Sequence, residues 1–386
     1  MKNQIHIHQK ENARFISIDV GQGDSFYLEK NNISILVDGG KSEVYFPGHF
    51  KKVVNKEHVD ILVCTHNDAD HAQGILGFLR SSLTCKEVWL PGSWTTRLTD
   101  LLLHPGKFIF TLYNDIASLE TTSVEDIITN PTKEDTPQNF RLDDNYNNSF
   151  ECIYDAIEHA SSNEDSIPWT DFFIFPTYLI YHLEPHKKEM FFDALNSAKR
   201  IRNIAIAAYH KGVTIRWFEY NKEYCSGGNP GILEPINSKE IVSIPPYKPS
   251  VFEYINLSKS NKESLVFLSP FINNVPAVLF SADSDFSFSQ TIKWSDKMLI
   301  TAPHHGSESN RNAYQRYYAE AQEFQNIKWI RSDGKFKKRP GKSYLSLNDD
   351  RYCTQCRNEK TAKNPAVFSV EVDGWITKRT TTCTCI

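Results

Sequence analysis

Four side chains of the kind that bind metal ions are crowded into six residues of this 386-residue chain. They are His66, Asp68, Asp70 and His71. Imidazole and carboxylate groups are common ligands of divalent metals, and core packing gives no reason for four of them in one short polar stretch. A lone histidine or aspartate in a loop is usually a solvated residue or a helix cap, but a set of this density indicates metal binding.

Two further groups of this chemistry occur in the last third of the chain, Asp283 and the pair His304 and His305. Each of the three groups follows a predicted strand. The strands are predicted over residues 59–64, 277–280 and 297–300. Because ligands of α/β proteins gather at the carboxyl ends of strands, we expect three strand ends to bring these side chains to one site.

The segments that must position these groups alternate between strand and helix patterns. Strands are predicted over residues 14–20, 87–90, 213–218 and 264–268, with a hairpin over 25–28 and 33–37. Helices are predicted over residues 73–80 and from 185 to about 209, where apolar residues recur at helical spacing. The chain therefore begins with strands and a strand-loop-helix unit, which is typical of an α/β sandwich.

The ligand stretch and its neighbours, from Thr65 to Gly74, resemble the metal motif of metallo-β-lactamase fold hydrolases in their ComEC-like branch. That branch has an aspartate, as at Asp68, in place of the second histidine of the motif. Five further segments are similar to motifs of the branch, residues 19–25, 37–40, 261–266, 279–283 and 303–307. The resemblance covers residues 14–95 and 255–310. It concerns the hydrolase domain of a membrane protein of bacterial DNA uptake and not the transport function.

The resemblance implies two divalent cations, zinc or manganese, that share Asp283 as a bridging ligand. The first cation would be bound by His66, Asp68 and one of His304 and His305, and the second by Asp70 and His71. Metals in such sites activate a water molecule for attack and stabilise the charge that develops on the scissile group. Asp70 would also take a proton from the attacking water, and Asp68 belongs with it among the implied catalytic residues.

Asp24 and Asp38 lie in two of the glycine-rich motifs. A carboxylate behind a metal site can orient a ligating histidine or accept backbone N–H bonds that hold the loop. We expect this supporting role for both aspartates. The alternative is that each only stabilises a turn before glycine.

One position departs from the family pattern. Many relatives carry a further His-Pro after the second histidine pair, whereas this chain has Arg339-Pro340. The second metal site is therefore expected to be weaker than usual. Arg339 and Lys338, within a basic run that also holds Lys335, Lys337 and Lys342, could instead contact a substrate phosphate. The alternative for this run is a solvated surface loop.

Four cysteines form two close pairs near the C-terminus. They are Cys353, Cys356, Cys383 and Cys385. This spacing fits a structural zinc site with four thiolate ligands, which would hold the C-terminal segment in place. The alternatives are a redox pair or thiols that bind nothing.

The predicted fold class is α/β, as a metallo-β-lactamase αββα sandwich with a large insertion and a cysteine-rich tail. Residues 1–95 and 186–345 would form its two halves and residues 346–386 the C-terminal segment. Residues 96–185 are interpreted as a loop-rich acidic insertion, since between residues 131 and 165 nine acidic residues face only one lysine and one arginine. Such a segment could bind a protein partner.

Charge and hydropathy restrict the function only broadly. The net charge of −4 neither favours nor excludes nucleic-acid binding. No run of 18 apolar residues is present, so we expect a cytoplasmic protein that does not bind membranes. The resemblance implies a phosphodiesterase or nuclease acting on DNA or RNA. The alternatives are a hydrolase of a small ester, lactone or phosphorylcholine-type substrate, and a partner-regulated effector of a bacterial defence system.

Overall fold

The computed structural model describes residues 13–119, 149–162, 180–244, 263–332, 339–354, 364–377 and Cys383. Its contacts divide the chain into two compact units. The first unit comprises Met1–Ser93, Asn203–Ile241 and Ser260–Ile386, and the second comprises Trp94–Arg202 and Val242–Lys259. The candidate metal ligands all belong to the first unit.

Fifteen strands lie within the described residues. They are β1 (Arg14–Ser17), β2 (Phe26–Lys30), β3 (Ile33–Val37), β4 (His58–Val63), β5 (Thr84–Pro91), β6 (Thr214–Tyr220), β7 (Glu234–Pro235), β8 (Ser238–Ile241), β9 (Phe267–Ser269), β10 (Val278–Phe280), β11 (Leu299–Thr301), β12 (Lys328–Arg331), β13 (Asp350–Cys353), β14 (Ala366–Glu371) and β15 (Gly374–Thr377). They form two sheets, in the orders β15-β14-β1-β2-β3-β4-β5-β6-β8 and β13-β12-β11-β10-β9-β7. The neighbours from β3 to β6 and from β10 to β13 are parallel.

Eight α-helices accompany the sheets in the described part of the chain. They are α1 (Phe46–Val54), α2 (Ala69–Arg80), α3 (Thr95–Leu103), α4 (Pro105–Ser118), α5 (Glu151–Ser162), α6 (Pro185–His210), α7 (Arg311–Glu320) and α8 (Lys342–Leu345). None of these helices is both long enough and apolar enough to cross a membrane.

In the first unit the two sheets pack face to face around one hydrophobic core. Phe26 and Leu28 of β2 contribute to this core from one sheet, and Val278 and Phe280 of β10 contribute from the other. Successive strand residues point to opposite faces, so the residue between each pair faces outward. Tyr27, which lies between the first pair, packs edge-on against Phe50 of α1.

The outer faces of both sheets are covered by helices. Phe50 of α1 packs against Phe78 of α2 over the first sheet. Leu279 of β10 belongs to a second core with Tyr314 and Tyr317 of α7, on the outer face of the second sheet. The first unit is therefore a mixed α/β structure with two sheets between layers of helix. A buried aromatic side chain contributes about 2 kcal/mol or more by its removal from water, which makes these faces the main source of stability.

The predicted elements are largely present, with shifted ends. The first strand ends at Ser17 instead of residue 20, because the amide of Val20 bonds to the carbonyl of Ile18 in a tight turn. The hairpin turns at Asn31 and Asn32, both with positive φ, as its two-residue loop requires. Helix α2 begins at Ala69, four residues earlier than predicted.

The expected loop-rich character of residues 96–185 does not hold for the described part of that segment. Helices α3, α4 and α5 lie there, and α3 packs against both α4 and α5. The buried residues Phe108, Ile109, Leu112 and Ile116 recur at helical spacing in α4. The first segment of the second unit also extends to Arg202 and not to residue 185, since the first part of α6 belongs to it.

Candidate metal centre

Three strand ends of the first unit bring the candidate ligands together. The stretch with His66 follows β4, and α2 begins within it. Asp283 follows β10, and His304 and His305 lie in a 3₁₀ turn, Pro303–Gly306, directly after β11. The site therefore lies where a strand of the first sheet and two strands of the second sheet end.

Asp283 is at the middle of the cluster. Its side chain is nearly inaccessible, and each of its carboxylate oxygens faces a different group of ligand atoms. Oδ1 lies 3.1 Å from Nε2 of His71 and 3.9 Å from Nε2 of His305. Oδ2 lies 3.8 Å from Nε2 of His66 and 3.4 Å from Nε2 of His304.

The two histidines near Oδ1 are fully buried, whereas the side chain of Asp70 beside them is 17% exposed. Nε2 of His71 and Nε2 of His305 are 3.3 Å apart, and Nε2 of His305 is 3.5 Å from Oδ2 of Asp70. Asp24, His71, Asp283 and His305 offer ligand atoms that all lie within 4.8 Å of one another. This group could hold a metal ion.

Asp24 and Asp38 lie behind the two histidines of the buried group. Oδ2 of Asp38 is 2.8 Å from Nδ1 of His71, and Oδ1 of Asp24 is 2.9 Å from Nδ1 of His305. Each carboxylate accepts the Nδ1–H bond of its histidine, so each Nε2 can present a lone pair towards Asp283. This geometry gives both aspartates an orienting role. The other oxygen of Asp24, Oδ2, is buried and has no hydrogen-bond partner among the described residues, so Asp24 could also serve as a ligand.

The group at Oδ2 of Asp283 is more open. His66, Asp68 and Asp283 form a second set of ligand atoms within 4.8 Å. Nδ1 of His66 bonds to the hydroxyl oxygen of Thr65 at 2.9 Å, and that hydroxyl donates to Asp38. Nε2 of His66 is buried and has no hydrogen-bond partner among the described residues. A buried lone pair without a donor is costly, and a bound cation would satisfy it.

His304 also lies beside Oδ2 of Asp283. Its Nδ1 is 2.9 Å from Oδ1 of Asn310, whose amide also donates to the carbonyl of Asp283 at 2.7 Å. Nη2 of Arg339 lies 2.5 Å from Nε2 of His304. The sequence left open which histidine of the pair is a ligand. The structure places the two on opposite sides of Asp283, and it brings Arg339 to the more open side.

The charges of the cluster stabilise one another. Burial alone would lower the pKa of His71, but the carboxylates of Asp283 and Asp38 raise it well above the ordinary value. Burial also opposes the charged form of His305, yet Asp24 and Asp283 raise its pKa to about 10. Burial would raise the pKa of Asp70, but its bond to His305 and the nearby His71 hold it well below the usual range. The carboxyl group of Asp70 is thus held in its charged form, which makes it a weak proton acceptor.

Four residues around the site have a strained backbone conformation. Asp38, Ala282, His304 and His305 all have positive φ, which L-residues other than glycine rarely adopt. Such conformations cost about 1 kcal/mol or more each and persist only where the surrounding structure imposes them. At His304 and His305 the left-handed turn is what sends neighbouring rings in different directions.

Main-chain bonds hold the motif loops against one another. The amide of Asp24 donates to the carbonyl of Asp70, and the amide of Gly39 donates to the carbonyl of His71. A side chain at Gly23 would place its Cβ 1.6 Å from the Asp70 carbonyl oxygen, so only glycine allows this approach. The glycine-rich motifs are therefore explained by contact with the ligand stretch.

Some predicted site residues lie outside the described part of the chain, namely Lys338, Cys356 and Cys385. Cys353 and Cys383 are described and buried, and Sγ of Cys353 accepts a bond from Nη2 of Arg331 at 3.2 Å. Both thiols are close to Tyr344, whose pKa is raised first by its burial and then by Cys383. The four-thiol zinc site stays a prediction. Most of the acidic run also lies outside, so its partner role stays a prediction too.

Two residues of the site were given no role from the sequence. Asn310 holds both His304 and Asp283, and Thr65 links His66 to Asp38. Thr65 stands next to the ligand stretch, but its hydroxyl had no assigned role. Asn310 has no motif spacing that would have identified it.

Comparison with known proteins gives no family assignment. No protein-family model matches the chain, and no curated protein matches it in sequence. The candidate metal centre is therefore interpreted from its own geometry.

Proposed function

We propose that the protein is a metal-dependent hydrolase with two divalent cations, one on each side of Asp283. The observation that carries this proposal is the division of ligand atoms between the two oxygens of one buried carboxylate. His71, His305 and Asp70 would bind one cation, and His66, Asp68 and His304 the other. Imidazole and carboxylate ligands suit zinc or manganese. The four layers of the first unit fit the metallo-β-lactamase sandwich that the motifs resemble.

When bound, a pair of divalent cations supplies a nucleophile at neutral pH and neutralises charge on a transferring group. The protein's own contribution is orientation. Asp38 and Asp24 fix the ring positions and the protonated nitrogen of His71 and His305, and Asn310 does so for His304. Asp70 fits the role of ligand better than that of proton acceptor because its pKa is held low.

Differences in exposure favour one side for the substrate. The side chain of Asp68 is 33% exposed and that of His304 is 19% exposed, whereas those of His71 and His305 are inaccessible. A substrate would therefore approach at Oδ2 of Asp283. Asp68 would be the first carboxylate that it meets.

A phosphodiester is the substrate class that the open side favours. Arg339 projects its guanidinium to His304 there, and arginine suits bidentate contact with phosphate oxygens. With a cation bound to His304, the guanidinium would be displaced from Nε2 and would be available to an anion. The resemblance of the motifs to the ComEC-like branch further favours DNA or RNA over a small ester.

The test is hydrolysis by the purified protein, loaded with Mn²⁺ or Zn²⁺, of bis-p-nitrophenyl phosphate, linear and circular DNA, and RNA. We expect cleavage of a diester, and a loss of more than about 100-fold in Asp283→Ala, because even the outer partners of metal ligands are worth 10- to 100-fold. Asp350→Ala, which removes an exposed carboxylate elsewhere in the unit, should retain full activity. Hydrolysis of none of these diesters, or equal activity of Asp283→Ala, would overturn the proposal. Cleavage of a p-nitrophenyl ester instead would favour the small-ester alternative.

A further inference from the structure

A surface groove lies beside helix α1, outside the metal centre. It is lined by Ser42, Val44, Tyr45, Gly48, His49 and Lys52. Val44 and Tyr45 are strongly exposed, although both have large apolar side chains. Isolated exposed apolar residues are ordinary, but an adjacent pair in a concave surface indicates a binding site.

The ring of Tyr45 is held in place by a chain of hydrogen bonds. Its hydroxyl lies 2.9 Å from Nδ1 of His49, and Nε2 of His49 lies 2.8 Å from Oδ1 of Asp19. Asp19 accepts the Nε2–H bond, so Nδ1 can accept from the phenol. The rings of Tyr45 and His49 are also stacked, with centroids 4.8 Å apart and planes inclined by 25°.

This arrangement leaves one face of an ordered aromatic ring open to solvent. Tyr45 is 57% exposed although one of its faces is stacked on His49, so the opposite face is free for contact. A ring that is already immobilised loses little conformational entropy on binding. Every nucleobase has a flat aromatic face that can stack on such a ring.

The charges of the groove complement a phosphate backbone. Lys52 has no carboxylate within ion-pair distance among the described residues, and Nζ of Lys41 bonds only to the side-chain oxygen of Gln22 there. The nearby acidic groups are engaged, since Asp19 binds His49 and Glu43 binds Arg80. Lys52 therefore lines the groove, and Lys41 lies four residues before Tyr45 in the chain, each without a carboxylate partner among the described residues.

The groove is connected to the metal centre through one short loop. Asp19, at the start of residues 19–24, supports His49 in the groove, and Asp24, at its end, supports His305 in the centre. Five residues of chain span at most about 17 Å. The amide of Gly40, two residues before the groove begins, also donates to the carbonyl of Asp24. A strand of nucleic acid at the metal centre would thus reach the groove.

We propose that this groove binds a base of a single-stranded nucleic acid, stacked on Tyr45, with the neighbouring phosphates near Lys41 and Lys52. This rests on the proposed function and extends it, because it names an unpaired strand as the substrate. It also gives Asp19, which does not contact the metal centre's ligands, a role as a residue that positions Tyr45 through His49.

The test measures binding without cleavage. Fluorescence anisotropy in EDTA would compare oligothymidylate, oligouridylate, a DNA duplex and an oligonucleotide of abasic sites, which keeps the phosphates but has no bases. We expect Tyr45→Ala to weaken binding of the thymidylate about tenfold, because loss of one aromatic stacking partner typically lowers affinity by about that factor. Tyr45→Trp should bind at least as tightly as the wild type.

The control is Tyr224→Ala, which removes a tyrosine of similar exposure, 51%, elsewhere in the first unit. It should leave the affinity unchanged, and thermal unfolding should show that all variants fold. The abasic strand should bind wild type and Tyr45→Ala equally weakly. Three outcomes would overturn the proposal that the groove binds a base. They are equal binding of abasic and base-containing strands by the wild type, equal binding of duplex and single strand, and no effect of Tyr45→Ala.

The outcomes separate this inference from the proposed function. Tyr45-dependent binding in a protein that cleaves no diester would support base binding in the groove and contradict the proposed hydrolase function. Diester cleavage by a protein whose binding does not depend on Tyr45 would support the proposed hydrolase function and contradict base binding in the groove. The difference in affinity between the thymidylate and the uridylate shows which of these two nucleotides the groove prefers.

Discussion

His304 and His305 are consecutive in the chain, yet their ring centroids are 5.9 Å apart and their planes are inclined by 64°. Left-handed backbone at both residues turns one imidazole to each side of Asp283. A dipeptide thus supplies one ligand to each group of the proposed two-metal site. This division leads to the first prediction.

Removal of either histidine should lower metal binding from two ions to about one per chain, because each imidazole serves a different side of Asp283. His304→Ala should lose the more exposed ion, and His305→Ala the buried one. The measurement is metal content by mass spectrometry after dialysis. His58→Ala, which changes an exposed histidine on β4, is the matched control and should retain two metal ions per chain. Two ions retained in both site variants would contradict the assignment.

Asp38→Asn should weaken metal binding about 10- to 100-fold without preventing folding. Asp38 accepts bonds from the amide and hydroxyl of Thr65 and from Nδ1 of His71, and an asparagine amide could not accept all three. Competition with a chromophoric chelator measures the affinity. Asp296→Asn changes a loop aspartate that accepts the amide of Gln325, and its affinity should equal that of wild type. A similar loss in both variants would show a general effect.

Gly23→Ala should destabilise the protein more than Gly21→Ala. Both glycines have positive φ, but a Cβ at residue 21 meets nothing within 4 Å, whereas one at residue 23 meets the Asp70 carbonyl. We expect about 1 kcal/mol for the backbone strain at residue 21 and at least about 2 kcal/mol more at residue 23. Urea unfolding measures both. Equal losses would mean that the loop moves freely away from Asp70.

Asp60 gives the fold a contribution that depends on pH. Burial opposes ionisation, but bonds from Lys86 and from the amide and hydroxyl of Ser34 lower the pKa of Asp60 from 3.8 to about 2. A lowered folded-state pKa stabilises the protein fully above the unfolded value of 3.8 and loses this effect as the pH falls towards 2. Asp60→Asn should therefore cost about 1 to 2 kcal/mol at pH 7 and much less at pH 2. The measurement is urea unfolding at both pH values in the presence of a chelator. An equal loss of unfolding free energy in Asp60→Asn at pH 7 and at pH 2 would contradict this prediction.

The order of strands and ligand groups was predictable from residue patterns. The ligand stretch, Asp283 and the histidine pair do follow β4, β10 and β11, because apolar runs identify buried strands and polar motifs follow their ends. The hairpin was predictable for the same reason, since Asn31 and Asn32 tolerate the conformation that its turn requires.

Other features depend on contacts between distant residues. The left-handed conformation of His304 and His305 is imposed by their surroundings, and no local preference of histidine predicts it. His49 and Asp19 meet across 30 residues, and Asn310 reaches Asp283 across 27. The helices of residues 95–118 and 151–162 were not predicted, although their apolar residues recur at helical spacing.

The main-chain bonds between the motif loops have a consequence for redesign. The amides of Asp24, Gly39 and Gly74 bond to backbone carbonyls of neighbouring motifs, and such bonds do not depend on which side chain a residue carries. The backbone conformation of the loops therefore does not depend on which side chains provide the ligand atoms. His66→Cys or Asp68→Cys would place a sulfur ligand in the site and shift the metal preference of the site towards softer metals, with the backbone unchanged.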